Sequence, residues 1–184
     1  MIAHLPILQI IIPLMAAPLC VVLRHRDIAW LITLLVTFTS FIISILILDQ
    51  VLSQGVLSYR MGDWTPPWGI EFRIDAVNAY ILLIVSAIAT VVAFYGRKSV
   101  LREIPHEHLT LYYTAFLLCM TGLLGMAATG DAFNLFFFLE ISSLSSYALI
   151  SLGKDRRALT ASYQYLIMGT LGATFYVIGL GLLY

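Results

Sequence analysis

Charged residues are distributed very unevenly along this chain. Five long stretches carry no Asp, Glu, Lys or Arg: 1–23, 28–48, 76–95, 109–130 and 158–184. A sixth stretch, 132–153, contains a single charged residue, Glu140. A helix needs roughly 20 apolar residues to cross a bilayer, and isolated strands would leave backbone groups unpaired in lipid. The pattern therefore predicts an all-α membrane protein with six transmembrane helices: 7–23, 28–48, 77–95, 109–128, 132–152 and 162–184.

Composition supports the same class. Hydrophobic residues make up 61% of the 184 residues and charged residues 11%, against roughly 45–50% and about 25% in an average soluble domain. Lys plus Arg and Asp plus Glu number ten each, so there is no basic surplus to bind nucleic acid. Cys20 and Cys119 have neither a metal-binding spacing nor that of a disulfide framework. A soluble globule, a disordered chain and a nucleic-acid binder are excluded.

The basic residues predict the orientation of the helices. The three loops that join helices one and two, three and four, and five and six hold eight: Arg24, Arg26, Arg97, Lys98, Arg102, Lys154, Arg156 and Arg157. The opposite side has only Arg60 and Arg73. Cytoplasmic loops carry the excess of Lys and Arg, so the N-terminus is expected outside. Because residues 1–9 lack a basic signal-peptide start, the first stretch is interpreted as a retained helix, with a processed segment as the alternative.

The one long loop, 49–75, is expected on the outside. Residues 69–75 alternate between apolar and polar side chains, as a strand does, while 56–61 alternate less cleanly. A small hairpin on the membrane surface and a plain loop anchored by Trp64 and Trp68 both fit this pattern. Asp75 is expected to cap the third helix.

A very short connection joins helices four and five. Gly130 is expected just after the end of one helix and Asp131 at the N-cap of the next, which makes the two helices antiparallel neighbours. Four small residues are expected to allow close helix packing: Gly122, Gly125, Gly169 and Ala173.

Glu140 is the residue that most needs an explanation. It lies nine positions after Asp131, or about 13–14 Å along a helix, near the middle of the bilayer. A charged side chain there costs from a few to roughly ten kcal/mol or more. Desolvation favours the neutral acid, so this carboxyl group is a candidate for taking up and releasing a proton. The alternative is a protonated Glu that hydrogen-bonds a neighbouring helix and serves packing alone.

The rest of the helix offers supporting groups. Ser143 and Tyr147, at i+3 and i+7, fall on the face of Glu140, and Phe136 and Phe137 supply an apolar flank. Asp131 is interpreted as a cap in preference to a proton relay. Three further hydroxyls fit either a proton wire or small packing residues: Ser142, Ser145 and Ser146.

No cationic side chain lies inside the six predicted helices. Every Lys, Arg and His maps to a loop or a helix end. The charge partner of Glu140 is therefore expected outside this stretch of chain. There is also no Gly-rich phosphate loop and no Cys cluster, so no catalytic residue, metal site or cofactor site is expected here.

Three passages carry a resemblance to a known family. Residues 130–147, which include Glu140, resemble the fifth helix of the antiporter-like membrane subunits. Residues 62–70 with 74–75 resemble the outer loop of that family, and 161–184 its sixth helix. The family includes the D subunit of Mrp cation/proton antiporters, the proton-pumping subunits of respiratory complex I and related hydrogenase subunits. One departure is Gln164, where many relatives have Lys.

The resemblance implies a fold of about fourteen helices with two inverted five-helix repeats, the first starting at helix four. Residues 1–108 would then be three N-terminal helices with their outer loop, and 109–184 the incomplete start of the first repeat. In the family, the glutamate that matches Glu140 pairs with a lysine on a broken seventh helix. The chain thus resembles the N-terminal part of a member.

We therefore expect a proton-translocating subunit, or an N-terminal fragment of one, of a monovalent cation (Na⁺ or K⁺)/proton antiporter or of a complex I-like NADH:quinone oxidoreductase or hydrogenase. It would be a multi-pass protein of a bacterial or archaeal plasma membrane, with redox chemistry confined to partner subunits. One alternative is a non-transporting assembly subunit of such a complex. Another is a small stand-alone transporter, which the lack of a second intramembrane charge disfavours.

Overall fold

The computed structural model describes residues 4–61 and 69–183, so Trp64 and Trp68 lie outside the described residues. Six helices are long and apolar enough to cross a membrane, which confirms the predicted fold class. They are α1 (Leu5–Leu23), α2 (Arg26–Gln54), α3 (Ala76–Tyr95), α5 (Leu109–Ala128), α6 (Ala132–Ser151) and α7 (Arg156–Leu183). A short helix, α4 (Arg97–Glu103), and a 3₁₀ turn (His106–His108) connect α3 to α5.

Side-chain caps fix where two of the membrane helices begin. The carboxylate of Asp75 accepts a hydrogen bond from the Asn78 backbone N–H (2.8 Å) at the start of α3. Asp131 accepts one from the Asn134 backbone N–H (2.9 Å) at the start of α6. Both satisfy backbone donors that have no partner within their own helix, so both predicted caps are confirmed.

The long loop contains an antiparallel hairpin in its described part, so the predicted hairpin is confirmed. That it lies on the membrane surface stays a prediction. Strand β1 (Leu57–Arg60) pairs with β2 (Glu71–Ile74). Phe72 and Ile74 are almost fully buried, whereas Arg73 between them is exposed. This is the apolar–polar alternation that predicted a strand, and the structure places its apolar face on the core.

Strand β2 also contacts the turn between α5 and α6. Phe72 forms a backbone bridge with Thr129, and the Gly130 N–H donates to the Glu71 carbonyl oxygen (3.0 Å). A Cβ on Gly130 would lie 2.8 Å from the Cβ of Arg73. The missing side chain of Gly130 therefore allows β2 to approach this turn closely. Its backbone does not adopt the left-handed conformation that often follows a helix end.

Helices α1, α2, α3 and α5 surround the main core, and α6 and α7 are added in sequence at one side. The α5–α6 pair is closely packed and antiparallel, as predicted. A Cβ on Gly122 would lie 2.6 Å from the Ser142 Cβ, and Gly125 faces the ring of Phe138. Helix α7 packs mainly on α6 and leaves most of its apolar side chains exposed.

The three basic loops meet at one end of the bundle. Arg97 forms an ion pair with Asp27 (2.8 Å) and lies over the ring of Trp30. The Lys154 ammonium group donates to the Arg102 carbonyl oxygen (2.7 Å). The hairpin and the α5–α6 turn share the opposite end, so the predicted separation of basic loops holds. That the basic end faces the cytoplasm stays a prediction.

Candidate functional site

Glu140 lies near the centre of α6, nine residues after its N-cap. Its side chain is half-buried at the contact with α7. It opens into a groove of about 380 Å³ between these two helices. The α6 wall is formed by Phe136 and Glu140, and the α7 wall by Thr170, Ala173, Thr174, Val177 and Ile178.

Two hydroxyl groups line this groove on the α7 side. Thr170 donates its hydroxyl hydrogen to the Leu166 carbonyl (2.9 Å), and Thr174 donates to the Thr170 carbonyl (2.7 Å). Each oxygen keeps lone pairs that can accept a hydrogen bond from a protonated acid or from water. Neither threonine was among the residues predicted from the sequence. Thr170 and Thr174 are four positions apart, so they lie on one face of α7, and this spacing is the sequence feature that could have identified them.

Aromatic contacts join α6 to α7 on both sides of the groove. Toward the basic end, Tyr147 is buried, its ring meets Tyr165 edge-on at 5.1 Å, and its hydroxyl contacts Gly169. Toward the hairpin end, Phe136 stacks on Tyr176, whose hydroxyl donates to the Ala132 carbonyl (2.9 Å). Tyr147 therefore fixes the spacing of the two helices and does not line the groove beside Glu140.

Glu140 makes no ion pair and no side-chain hydrogen bond with any of the described residues. The ion pairs found in that part of the chain both involve Asp27, at the basic end. A carboxyl group used as packing glue would be expected to bond a neighbouring helix. The expectation that its charge partner lies outside these helices stays a prediction.

The serines of α6 are engaged in packing and backbone bonds. Ser142 packs on Gly122, and Ser145 donates to the Ile141 carbonyl (2.6 Å). Ser146 donates to the Ser142 carbonyl (2.9 Å) and lies 3.4 Å from the sulfur of Cys119. Ser143 is half-buried. This geometry fits the packing interpretation of the serines better than a continuous proton wire.

Asp131 lies at the hairpin end and not beside Glu140. Its carboxylate caps α6, and the Thr129 hydroxyl accepts a hydrogen bond from the Asn134 side chain (3.0 Å) in the same turn. Within 4–61 and 69–183, no group of three His, Cys, Asp or Glu side chains is arranged to hold a metal ion.

Sequence comparison finds relatives among membrane subunits, although no family model matches the chain. The chain is 40% identical over 200 residues to NADH-quinone oxidoreductase subunit N of Desulforudis audaxviator, covering 100% of this chain and 37% of that protein. It is 28% identical over 179 residues to the D subunit of the Na⁺/H⁺ antiporter of Bacillus subtilis, covering 97% and 36%.

Structural comparison agrees. A chain in the structure of the membrane-bound sulfane sulfur reductase, an archaeal respiratory membrane complex, superimposes with a TM-score of 0.89 and 32% identity. The match covers 98% of this chain and 37% of that one. The chain thus spans little more than a third of the length of the proteins it matches.

Fold and sequence together are those of an integral membrane protein that is similar, over its whole length, to part of the antiporter-like membrane subunits. Its homologues include NADH-quinone oxidoreductase subunit N and the Na⁺/H⁺ antiporter D subunit. The resemblance seen in residues 62–70 with 74–75, 130–147 and 161–184 is therefore confirmed.

Proposed function

We propose that this chain is part of a proton-translocating membrane subunit and that Glu140 is its protonatable group. The observation that supports this proposal is the position of Glu140. Its carboxyl group lies near the middle of a transmembrane helix, opens into a groove and has no bonding partner among the described residues. A carboxyl group in a low-dielectric medium avoids carrying charge, so a nearby cation would favour deprotonation and its withdrawal would favour proton uptake. Thr170 and Thr174 offer hydrogen-bond acceptors to the protonated form.

The larger assembly would be a monovalent cation/proton antiporter, exchanging Na⁺ or K⁺, or a complex I-like NADH:quinone oxidoreductase. The names of the homologues support both, and any redox chemistry would belong to partner subunits. Residues 1–108 would support the start of a repeat unit at 109–184. A bacterial or archaeal plasma membrane is the expected location, since the matched relatives come from such organisms.

The test is Glu140→Gln in the complete complex, which removes the ionisable group and keeps the shape of the side chain. Everted vesicles that contain a pH-sensitive dye would report proton movement on addition of cation or of the electron donor. We expect transport to be lost, whereas Glu140→Asp keeps part of it. Glu103→Gln, at an exposed site on α4, is the matched control and should transport normally.

Assembly is measured on the same membranes by native gel electrophoresis. An assembled Glu140→Gln complex without proton movement supports the proposal. An assembled complex with full transport contradicts it and favours the alternative, a non-transporting assembly subunit. That alternative also predicts that the integrity of the complex depends on α6–α7 packing at Gly169 and not on the acid.

A further inference from the structure

A second groove lies between α3 and α5, away from Glu140. It has a volume of about 210 Å³, and its lining is hydrocarbon apart from the thiol of Cys119 and the thioether of Met120. Ile88 and Val92 on its rim are 58% and 41% exposed, so the groove opens sideways toward the lipid. Phe116 and Leu123 mark its length, which is about 10 Å along α5. An extended hydrocarbon chain matches this shape and lining.

The groove ends beneath α4 at the basic end of the bundle. Val92 and Phe116 line both the groove and a crevice that continues to Gly96, Arg97 and Val100. This crevice has a volume of only about 10 Å³, room for roughly one water molecule. A polar headgroup attached to a chain in the groove must therefore lie beside α4 and not under it.

Helix α4 exposes two cationic side chains on one face, with Glu103 exposed at its end. Lys98 and Arg102 are one helical turn apart and exposed, and neither takes part in an ion pair with the described residues. Arg97, by contrast, is occupied by Asp27. Phe94 and Tyr95 are largely exposed at the adjoining end of α3, where aromatic side chains suit the membrane interface.

We propose that this groove binds one acyl chain of an anionic phospholipid whose headgroup is held by Lys98 and Arg102. The apolar groove selects a hydrocarbon chain, and the adjacent pair of cations selects a negative headgroup. Basic residues at the membrane surface strengthen binding of an anionic lipid by roughly fivefold for each charge. A zwitterionic lipid would gain the groove contacts without this contribution.

The test is photo-crosslinking of the complete complex in vesicles that contain phosphatidylglycerol with a diazirine in its acyl chain. Peptide mapping should place the label on α3 and α5, and diazirine phosphatidylcholine, which lacks the contribution of both cations, should label them roughly 25-fold less. Lys98→Gln with Arg102→Gln should lower the phosphatidylglycerol label roughly fivefold per cation removed. Arg156→Gln with Arg157→Gln, exposed at the start of α7, is the matched charge control and should change it little.

A second pair of variants tests the groove itself. Ala89→Phe fills it, whereas Ala148→Phe fills a neighbouring groove between α5 and α6. The first should reduce labelling of α3 and the second should not. Equal labelling by both lipids, labels spread over all helices in proportion to exposure, or an unlabelled α3 because a protein helix occupies the groove would each overturn the proposal.

Discussion

Gly122 is the position where a single methyl group should most disturb the bundle. A Cβ there would lie 2.6 Å from both the Cβ and the backbone nitrogen of Ser142, and 2.7 Å from the Phe138 carbonyl oxygen. Two of these three atoms are backbone, so no rotamer change relieves the contact. Carbon atoms pack at about 3.5–4.0 Å, so α5 and α6 must separate by about 1 Å.

The expected change in the free energy of unfolding for Gly122→Ala follows from two opposing effects. Overpacking of a tight contact costs about 1–3 kcal/mol, and Ala is up to about 1 kcal/mol better than Gly in a helix. Gly122→Ala should therefore lower the free energy of unfolding by about 1–2 kcal/mol. At Gly172 a Cβ would meet no atom within 4 Å. Gly172→Ala should then be neutral or stabilise by up to about 1 kcal/mol.

Unfolding of the purified protein in mixed micelles with increasing SDS, followed by circular dichroism, measures both variants. Gly122→Ala is expected to unfold at a clearly lower SDS fraction than Gly172→Ala. Coincident unfolding curves would show that α5 and α6 do not make this close contact.

Two further predictions concern contacts that join separate parts of the fold. Gly169→Ala should displace the Tyr147 hydroxyl and destabilise the protein by about 1–3 kcal/mol. Adding Tyr147→Phe should recover part of the lost stability, because it removes the hydroxyl that the new methyl group meets. Strictly additive effects in the double variant would contradict the contact. Phe72→Ala should lower the free energy of unfolding by about 3–5 kcal/mol, because the ring is buried against Phe138. Arg73→Ala, at the exposed neighbouring position, should change it by no more than about 0.5 kcal/mol. Equal effects of the two variants on SDS unfolding would show that the hairpin is not packed on the bundle.

The sequence carried enough information for the six membrane helices because each must place about 20 largely apolar residues in lipid, and the six stretches together contain one charged residue, Glu140. Their ends were less predictable. Helix α2 continues to Gln54 and α7 begins at Arg156, since a helix does not stop where its hydrophobic stretch stops. The short helix α4 was not predicted, because seven largely polar residues show no hydrophobic period that separates a helix from a loop.

Only part of the candidate site could be predicted from the sequence. Glu140 was identified by the cost of a charge in the bilayer, which depends on its position in one helix. Thr170 and Thr174 depend on which face of α7 meets α6, and that is decided by tertiary contacts such as Gly169 against Tyr147. The link from β2 to the α5–α6 turn likewise joins residues far apart in sequence.

A buried polar cluster elsewhere in the bundle bears on the two interpretations of Glu140. Gln9 is fully buried in α1, and its amide nitrogen donates to the Ser44 hydroxyl of α2 (2.7 Å), which also lies 2.9 Å from the Ser86 hydroxyl of α3. Here polar side chains hold three helices together. Glu140, by contrast, is half-buried, faces a groove and bonds none of the described residues. A side chain kept for packing is expected to bond a neighbouring helix, as the Gln9 amide nitrogen does. On this contrast we propose that Glu140 keeps its carboxyl group free for proton transfer.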